Sequence, residues 1–297
     1  MRNGYNRLKG TGVAIVTPFK KSGAIDFEGF EDLVNHVISG GVDYIVLFGT
    51  TGESPTVSKQ EKKALTEYAL QVIDQRVPLV LGIGGNNTSD VVLAIHGTVF
   101  KGIEAILSVS PYYSKPQQEG IYQHYKVIAE ASPVPVILYT VPGRTGSNIA
   151  ANTTLRLARD FSNIAGIKEA SGNFDQIFQV LKNRPKDFLV LSGDDNLTLP
   201  LIAAGADGVI SVTANAYPRE FSEMVRHALQ GNLKSARAVH YRLLDFTNAL
   251  FADGSPSGIK AALELKKLCH QYLRLPLVPV NQEVLQRIQL CIEQIEK

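Results

Sequence analysis

Eight short apolar runs recur along the chain, and a segment with helical spacing of apolar residues follows each run. Because the runs are nearly continuous rather than alternating, they predict strands covered on both faces, as in a parallel sheet. The predicted strands comprise residues 13–16, 44–48, 79–83, 105–109, 134–139, 164–168, 188–192 and 208–212. Eight alternations of strand and helix predict an α/β fold, the (β/α)8 or TIM barrel, with a doubly wound open sheet as the alternative.

Capping signals mark two of the helix starts. Asp26 stands in the N-cap position before an apolar stripe over residues 27–38, and Ser58 has Glu61 at capping-box spacing. The same 3.6-residue periodicity predicts helices over residues 91–99, 121–129, 153–161, 174–181 and 197–204.

The alternation of predicted strands and helices ends after the eighth strand. From residue 218 to residue 296 only helical patterns remain, broken at residues 231–232, 253–256 and 275–279. We therefore predict a barrel over residues 1–230 that carries the active site and a C-terminal helical domain over residues 231–297. We expect the C-terminal helices to lie away from the site.

Composition and charge argue against several classes of binding partner and cellular location. With 297 residues, 44% of them hydrophobic, the chain can bury a large core, and its formal net charge of +2 without long basic runs argues against nucleic acid. Residues 1–6 lack an apolar signal region, and no apolar run approaches the roughly 18 residues that span a bilayer, so we expect a cytoplasmic protein without membrane contact. The six histidines show no ligand spacing, so no metal site is expected.

Lys168 stands at the exit of the sixth predicted strand. A lysine in this position either reaches water or sits in a pocket, where desolvation favours its neutral amine. A neutral amine is the nucleophile that forms Schiff bases with carbonyl compounds. The alternative is a structural ion pair with a carboxylate such as Glu169 or Asp194.

Active residues of such barrels lie at the carboxyl ends of the strands. Those positions here are rich in hydroxyls and glycines, which suits a small carbonyl acid: Thr17, residues 49–53, Gly84, residues 110–113, Tyr139, Lys168, residues 192–194 and Ser211. The N–H groups of Thr50 and Thr51 can bind a carboxylate, although a plain turn is the alternative. The tyrosines can relay protons or simply pack, and Arg144 either clamps a second carboxylate or faces solvent.

Five segments carry a resemblance to a known family. They are residues 49–54 (GTTGES), 110–113 (SPYY), 139–146 (YTVPGRTG), 166–170 (GIKEA) and 205–211 (GADGVIS). In order and spacing they resemble the 4-hydroxy-tetrahydrodipicolinate synthase family, also called dihydrodipicolinate synthase. The likeness covers nearly the whole chain and is weaker in the last third.

The resemblance implies a class I aldolase-type lyase of lysine and meso-diaminopimelate biosynthesis that needs no cofactor. Lys168 would form a Schiff base with pyruvate, and its enamine would add to the aldehyde of aspartate 4-semialdehyde. Tyr139 would be the general acid and base, in a relay with Thr50 and with Tyr113 of a neighbouring subunit. Pyruvate would be held by the hydroxyl and N–H of Thr51 and by the backbone of Ile210. The resemblance also implies that Arg144 binds the semialdehyde carboxylate and that the enzyme is a homotetramer, a dimer of dimers.

Two departures from the family pattern stand out. Thr140 occupies a position where the family commonly has Asn, which affects the loop that binds the second substrate. In members regulated by lysine, the allosteric pocket corresponds to Ser54, Pro55, Lys59, Lys62, Asn86, Asp90 and Tyr112. Lys59 and Lys62 replace the histidines typical of such members, and extra cations repel a cationic effector, with Asp90 in partial compensation. We predict weak or absent inhibition by lysine.

Related activities are the closest alternatives. An N-acetylneuraminate lyase or a keto-sugar-acid aldolase shares the Schiff-base lysine, the tyrosine and the Gly-x-x-Gly-Glu turn. The adjacent Thr50 and Thr51, together with Arg144, favour the synthase. A non-catalytic pyruvate-binding sensor or scaffold is the alternative from another class, and it would be expected to lose Lys168 or Tyr139, which are both present.

Overall fold

Eight parallel strands close into a barrel in the computed structural model, which describes residues 5–297. The strands are β1 (Gly10–Ala14), β2 (Tyr44–Leu47), β3 (Leu79–Gly82), β4 (Ile103–Val109), β5 (Val136–Thr140), β6 (Ile164–Glu169), β7 (Leu189–Ser192) and β8 (Gly208–Ser211). Each strand pairs with the next, and β1 pairs with β8, so the (β/α)8 prediction is confirmed and the open sheet is wrong. Residues 1–4, part of the predicted signal-free N-terminus, lie outside the described residues.

Strand β1 begins three residues earlier than the apolar pattern predicts. Gly10 pairs with Gly208 of β8, and a Cβ on Gly208 would lie 2.1 Å from the carbonyl oxygen of Gly10. The two backbones approach so closely that only glycine fits, and glycine gives no apolar signal. The prediction therefore missed Gly10, Thr11 and Gly12, three of the four β1 residues that pair with β8.

Helices cover the outside of the barrel and form the C-terminal region. Over residues 5–297 they are α1 (Phe27–Ser39), α2 (Lys59–Ile73), α3 (Thr88–His96), α4 (Gln118–Ala131), α5 (Pro142–Thr145), α6 (Ala151–Asp160), α7 (Phe174–Asn183), α8 (Thr198–Ala203), α9 (Pro218–Leu229), α10 (Leu233–Phe251), α11 (Ser257–Leu265) and α12 (Gln282–Ile295). None of these helices is both long and apolar enough to cross a membrane.

The two capping predictions have different outcomes. Before α2, the Glu61 N–H donates to Ser58 Oγ at 3.3 Å, and the Ser58 N–H donates to a Glu61 carboxylate oxygen at 2.9 Å. This reciprocal pair confirms the capping box. Asp26 does occupy the N-cap position of α1, as predicted. Its side chain accepts no hydrogen bond from the first turn of the helix, so the predicted side-chain cap is wrong.

Alternation along each strand separates two cores. One cluster fills the barrel interior and includes Val46, Ile137, Tyr139 and Ile210, while a larger cluster lies between the strands and the helices. On β6, Lys168 alternates with the buried neighbours Ile167 and Glu169. Because successive strand residues face opposite sides, Lys168 points towards the barrel axis and Glu169 towards the helices.

The predicted domain boundary near residue 230 falls in the turn between α9 and α10. Helix α11 nevertheless places Lys260 in a buried ion pair with Glu53, in the turn that follows β2. The expectation that the C-terminal helices lie away from the site is therefore wrong.

Candidate active site

Lys168 and Tyr139 occupy neighbouring positions at the carboxyl end of the barrel. They are paired in register on β6 and β5, and the lysine Nζ lies 4.5 Å from the centre of the tyrosine ring. Both side chains are buried, with exposed fractions of 5% for Lys168 and 6% for Tyr139. A buried lysine amine at the barrel mouth can act as the nucleophile of Schiff-base chemistry.

The structural ion pair considered for Lys168 does not form. Within residues 5–297, no carboxylate oxygen lies within 4.0 Å of its Nζ. The Glu169 carboxylate instead accepts hydrogen bonds from the Ser171 N–H at 2.9 Å and from the Gln176 side-chain amide at 3.1 Å. Burial raises the pKa of Glu169, and these hydrogen bonds oppose the rise.

The turn after β2 carries Thr50 and Thr51. Residues Thr50–Gly52 form one 3-10 turn, and the Thr17 hydroxyl of the β1 loop donates to the Gly52 carbonyl at 2.7 Å. Thr51 is buried and Thr50 is exposed, so the two side chains lie in different environments. The hydroxyl of Thr51 makes no hydrogen bond within the described part of the chain, which leaves it free to bind a carboxylate.

Arg144 lies on the short helix α5, beyond the end of β5. It is exposed, and a guanidinium nitrogen lies 3.5 Å from the carbonyl oxygen of Ser255 in the C-terminal region. Burial raises the pKa of the Asp194 carboxyl, while the positive charges of Lys168 and Arg144 lower it. Lys168 lies near the carboxyl end of β6 and Arg144 follows the carboxyl end of the neighbouring β5, so both lie at the same mouth of the barrel.

Thr140 does not face the barrel interior. Its hydroxyl donates to the Asn148 side-chain oxygen at 3.0 Å and accepts from the Ile149 N–H at 3.1 Å. Asn148 in turn donates to Gln176 at 2.7 Å, and Gln176 donates to Glu169, the neighbour of Lys168. Thr140 therefore fixes the end of the Arg144 loop against β6, and its effect on the site is indirect.

Tyr113 and Ile210 have contrasting surroundings. Tyr113 has an exposed fraction of 88% and a φ of 73°, and its phenol makes no hydrogen bond within residues 5–297. Ile210 is fully buried in the same interior cluster as Tyr139 and is paired in register with Gly12. The structure brings Lys168, Tyr139 and Ile210 to one interior, whereas Tyr113 projects from the surface.

The residues predicted to form an allosteric pocket are mostly exposed. Pro55, Lys59, Asn86, Asp90 and Tyr112 are exposed, whereas Ser54 and Lys62 are half-buried. Burial lowers the pKa of Lys62, whose ammonium lies 5.9 Å from the centre of the Phe48 ring. A search of residues 5–297 finds no group of three or more His, Cys, Asp or Glu side chains that could hold a metal ion.

The similarity to known proteins extends over nearly the whole chain. The sequence model of the dihydrodipicolinate synthetase family matches residues 7–295. The chain belongs to this family. The matched range includes every residue proposed above for the site.

Relatives within the dihydrodipicolinate synthetase family are close. A 4-hydroxy-tetrahydrodipicolinate synthase from Flavobacterium psychrophilum is 51% identical, over 97% of this chain and 98% of the relative. A dihydrodipicolinate synthase structure from Thermotoga maritima superposes with a TM-score of 0.95 at 40% identity, covering 97% of this chain and 98% of that one. The structure of a family member from Cyanidioschyzon merolae with lysine bound has a TM-score of 0.94 at 36% identity, covering 98% of this chain and 99% of that one.

Sequence reasoning missed two groups of residues around this family site. Asn148 and Gln176 link Thr140 to Glu169, and no local pattern predicts such a contact between distant segments. Lys260 could have been found, because it is a lone charge within the apolar stretch at residues 258–263. A charged residue on an otherwise buried helix face needs a partner, and the partner is Glu53.

Proposed function

We propose that the chain condenses pyruvate with L-aspartate 4-semialdehyde through a Schiff base on Lys168, giving 4-hydroxy-tetrahydrodipicolinate for lysine and diaminopimelate biosynthesis. The observation that carries the proposal is the buried Lys168 in register with Tyr139 at the barrel mouth, in a chain of this family. The relatives named as synthases match over nearly their full length, which supports the same substrates here.

Pyruvate binds first in the proposed reaction. The hydroxyl and N–H of Thr51 hold its carboxylate, and the backbone of Ile210 contacts it from the barrel interior. The neutral amine of Lys168 then attacks the keto carbon, and the keto oxygen leaves as water after protonation. The Tyr139 ring centre lies 4.5 Å from the lysine nitrogen, and the Tyr139 hydroxyl carries the protons of this step.

Loss of a methyl proton converts the Schiff base into the nucleophilic enamine, which attacks the second substrate. Its aldehyde carbon forms the new carbon–carbon bond, while Arg144 binds its carboxylate with a bidentate guanidinium. Its amino group then attacks the Schiff-base carbon and displaces Lys168, which closes the ring and frees the lysine. Tyr139 and Thr50 relay the protons between these steps.

A neighbouring subunit completes the relay in this proposal. Tyr113 is exposed and its phenol bonds to no described residue of its own chain, as expected for a side chain that serves another subunit. We therefore propose a homotetramer, arranged as a dimer of dimers, in which each active site includes Tyr113 of a neighbouring subunit. The cytoplasmic location expected from the sequence remains a prediction.

Turnover and trapping together test the proposed function. Pyruvate and aspartate semialdehyde are supplied with a reductase that reports the cyclic product, and the native chain is compared with Lys168→Ala. The expected result is turnover that Lys168→Ala abolishes, while Lys182→Ala, a change to an exposed lysine on α7, leaves it intact.

The same preparation separates the alternatives. Borohydride traps pyruvate on Lys168 in any Schiff-base enzyme, and mass spectrometry of the peptide locates it. Trapping without product would replace the synthase with an aldolase for another aldehyde, such as a sugar-acid aldolase. Pyruvate binding with neither trapping nor product would favour the non-catalytic sensor and contradict the proposal.

A further inference from the structure

A buried ion pair joins the C-terminal region to the turn that carries Thr50 and Thr51. The Nζ of Lys260, on α11, lies 2.5 Å from a carboxylate oxygen of Glu53, and both side chains have exposed fractions of 0%. Burial lowers the pKa of Lys260, and the Glu53 carboxylate opposes that shift. Each charge is therefore the principal compensation for burying the other.

The pair has further contacts with the C-terminal region and with the loop after β1. Lys260 Nζ donates to the Tyr272 carbonyl at 2.8 Å, and the second carboxylate oxygen of Glu53 accepts from the Arg274 N–H at 3.1 Å. The Lys260 ammonium and the Arg274 guanidinium each lie 4.3 Å from the centre of the Phe19 ring. Phe19 belongs to the loop after β1. The ion pair therefore packs between this loop, at the barrel mouth, and the C-terminal region.

Glu53 is the residue that ends the threonine turn. Its N–H donates to the Thr50 carbonyl at 3.1 Å, and its φ of 53° is in the left-handed region. That conformation is strained for a non-glycine residue, so contacts elsewhere must hold it. The side chain of Glu53 is anchored by Lys260 and Arg274, and its backbone therefore fixes where the turn sits.

On the basis of the function proposed above, we propose that Glu53 and Lys260 are positioning residues for catalysis. Their ion pair holds Thr50 and Thr51 at the barrel mouth, so the C-terminal helical region is part of the catalytic apparatus. Neither side chain touches the substrate. Their effect passes through the hydroxyl and N–H of Thr51, which bind pyruvate, and through the hydroxyl of Thr50, which relays protons.

The decisive variant replaces both charges, Glu53→Met with Lys260→Met, and leaves no buried charge without a partner. A displacement of the turn by about 1 Å is expected to raise the pyruvate concentration for half-maximal borohydride trapping by about 10- to 100-fold and to lower kcat. The isosteric Glu53→Gln is a second variant, which keeps the shape of the side chain but leaves the buried Lys260 ammonium without its carboxylate, and it should shift both quantities in the same direction. Unchanged half-saturation and kcat in folded variants would overturn the proposal.

A matched control separates positioning from simple stability. Arg184 pairs with Asp207 at the opposite end of the barrel, just before β8. Arg184→Met should lower Tm without changing the half-saturation for pyruvate. If Arg184→Met raised the half-saturating pyruvate concentration as much as the double variant does, lost stability would explain both results. That outcome would contradict the positioning role.

Trapping also keeps this test independent of the second substrate. If the native chain trapped pyruvate but made no product with aspartate semialdehyde, the proposed function would fail. The comparison of half-saturating pyruvate between native and variant chains would still decide the role of Glu53 and Lys260.

Discussion

Tyr139 and Lys168 are paired in register on adjacent strands, with the lysine nitrogen 4.5 Å from the centre of the phenol ring. Tyr139→Phe keeps the ring that packs against the lysine and removes only the hydroxyl. We expect kcat to fall by about 10²- to 10⁴-fold because the proton carrier is lost. Borohydride should still trap pyruvate on Lys168 in this variant, but more slowly, because Tyr139 also carries the protons of Schiff-base formation. Turnover close to that of the native chain would assign the proton transfers to another group.

Thr140 should act on the second substrate through the Arg144 loop. Thr140→Val keeps the shape but leaves the buried Ile149 N–H without its acceptor and removes one of the two hydrogen bonds that the Asn148 side-chain oxygen accepts. We expect the free energy of unfolding to fall by about 1–3 kcal/mol and the KM for aspartate semialdehyde to rise more than the KM for pyruvate. Thr140→Ser retains the hydroxyl and serves as the control. Equal changes in both KM values would argue against an effect through the loop.

Mixed oligomers test whether Tyr113 serves a neighbouring site. Lys168→Ala subunits lack the nucleophile and Tyr113→Phe subunits lack the relay phenol, so each pure variant should have little activity. If the phenol crosses between two subunits, random mixing makes half of the pairs mixed, each with one intact site, and restores about a quarter of native activity. Mixing after dissociation and reassociation, followed by the coupled assay, gives the measurement. No recovery in verified mixed oligomers would mean that Tyr113 acts within its own chain.

The Glu61–Arg274 contact should make stability depend on pH. Hydrogen bonds from Arg274 lower the pKa of Glu61 to about 2. A carboxyl group with a lower pKa in the folded state contributes stability above its unfolded pKa, near 4.3, and loses it as pH falls towards 2. Because the pair is partly exposed, solvent screening reduces the contribution to about 1 kcal/mol at pH 7.

Glu61→Gln provides the test, since glutamine can keep the capping box with Ser58. Urea unfolding should show native and variant chains differing most at pH 7 and converging between pH 5 and about pH 2. Glu67→Gln changes an exposed carboxylate of the same helix that has no ion pair within residues 5–297, and it should show no such trend. A Glu61→Gln difference that is constant across this range would rule out the linkage.

Lysine should inhibit this chain weakly or not at all. Lys59 and Lys62 place two cations where the family resemblance locates the effector pocket, and repulsion between like charges disfavours a cationic ligand. Lys59→His with Lys62→His should increase inhibition in the coupled assay at pH 8, where histidine is largely neutral. Lys63→His on the same helix is the control. Strong inhibition of the native chain at sub-millimolar lysine would contradict this reasoning.

Apolar runs and strand ends were enough to predict the barrel and the place of Lys168 and Tyr139. Those features are local, because burial on both faces and position along a strand are visible in the sequence. Contacts between distant segments left no such signal. The pairing of Gly10 with Gly208 joins strands that only the closed barrel brings together. The lone charge of Lys260 indicates a buried partner, but nothing in the sequence identifies that partner as Glu53.

Closure of the barrel has a consequence for synthesis on the ribosome. Asn215 accepts from the Val16 N–H at 3.1 Å and donates to the Ala14 carbonyl at 2.9 Å, across 199 and 201 residues of sequence. At about 5–20 residues per second, translation needs roughly 10–40 s to deliver this partner after β1 has been made. During that interval β1 has one edge whose N–H and C=O groups await β8, and such edges pair readily with other chains. The nascent chain must therefore be kept from intermolecular strand pairing until its final strand arrives.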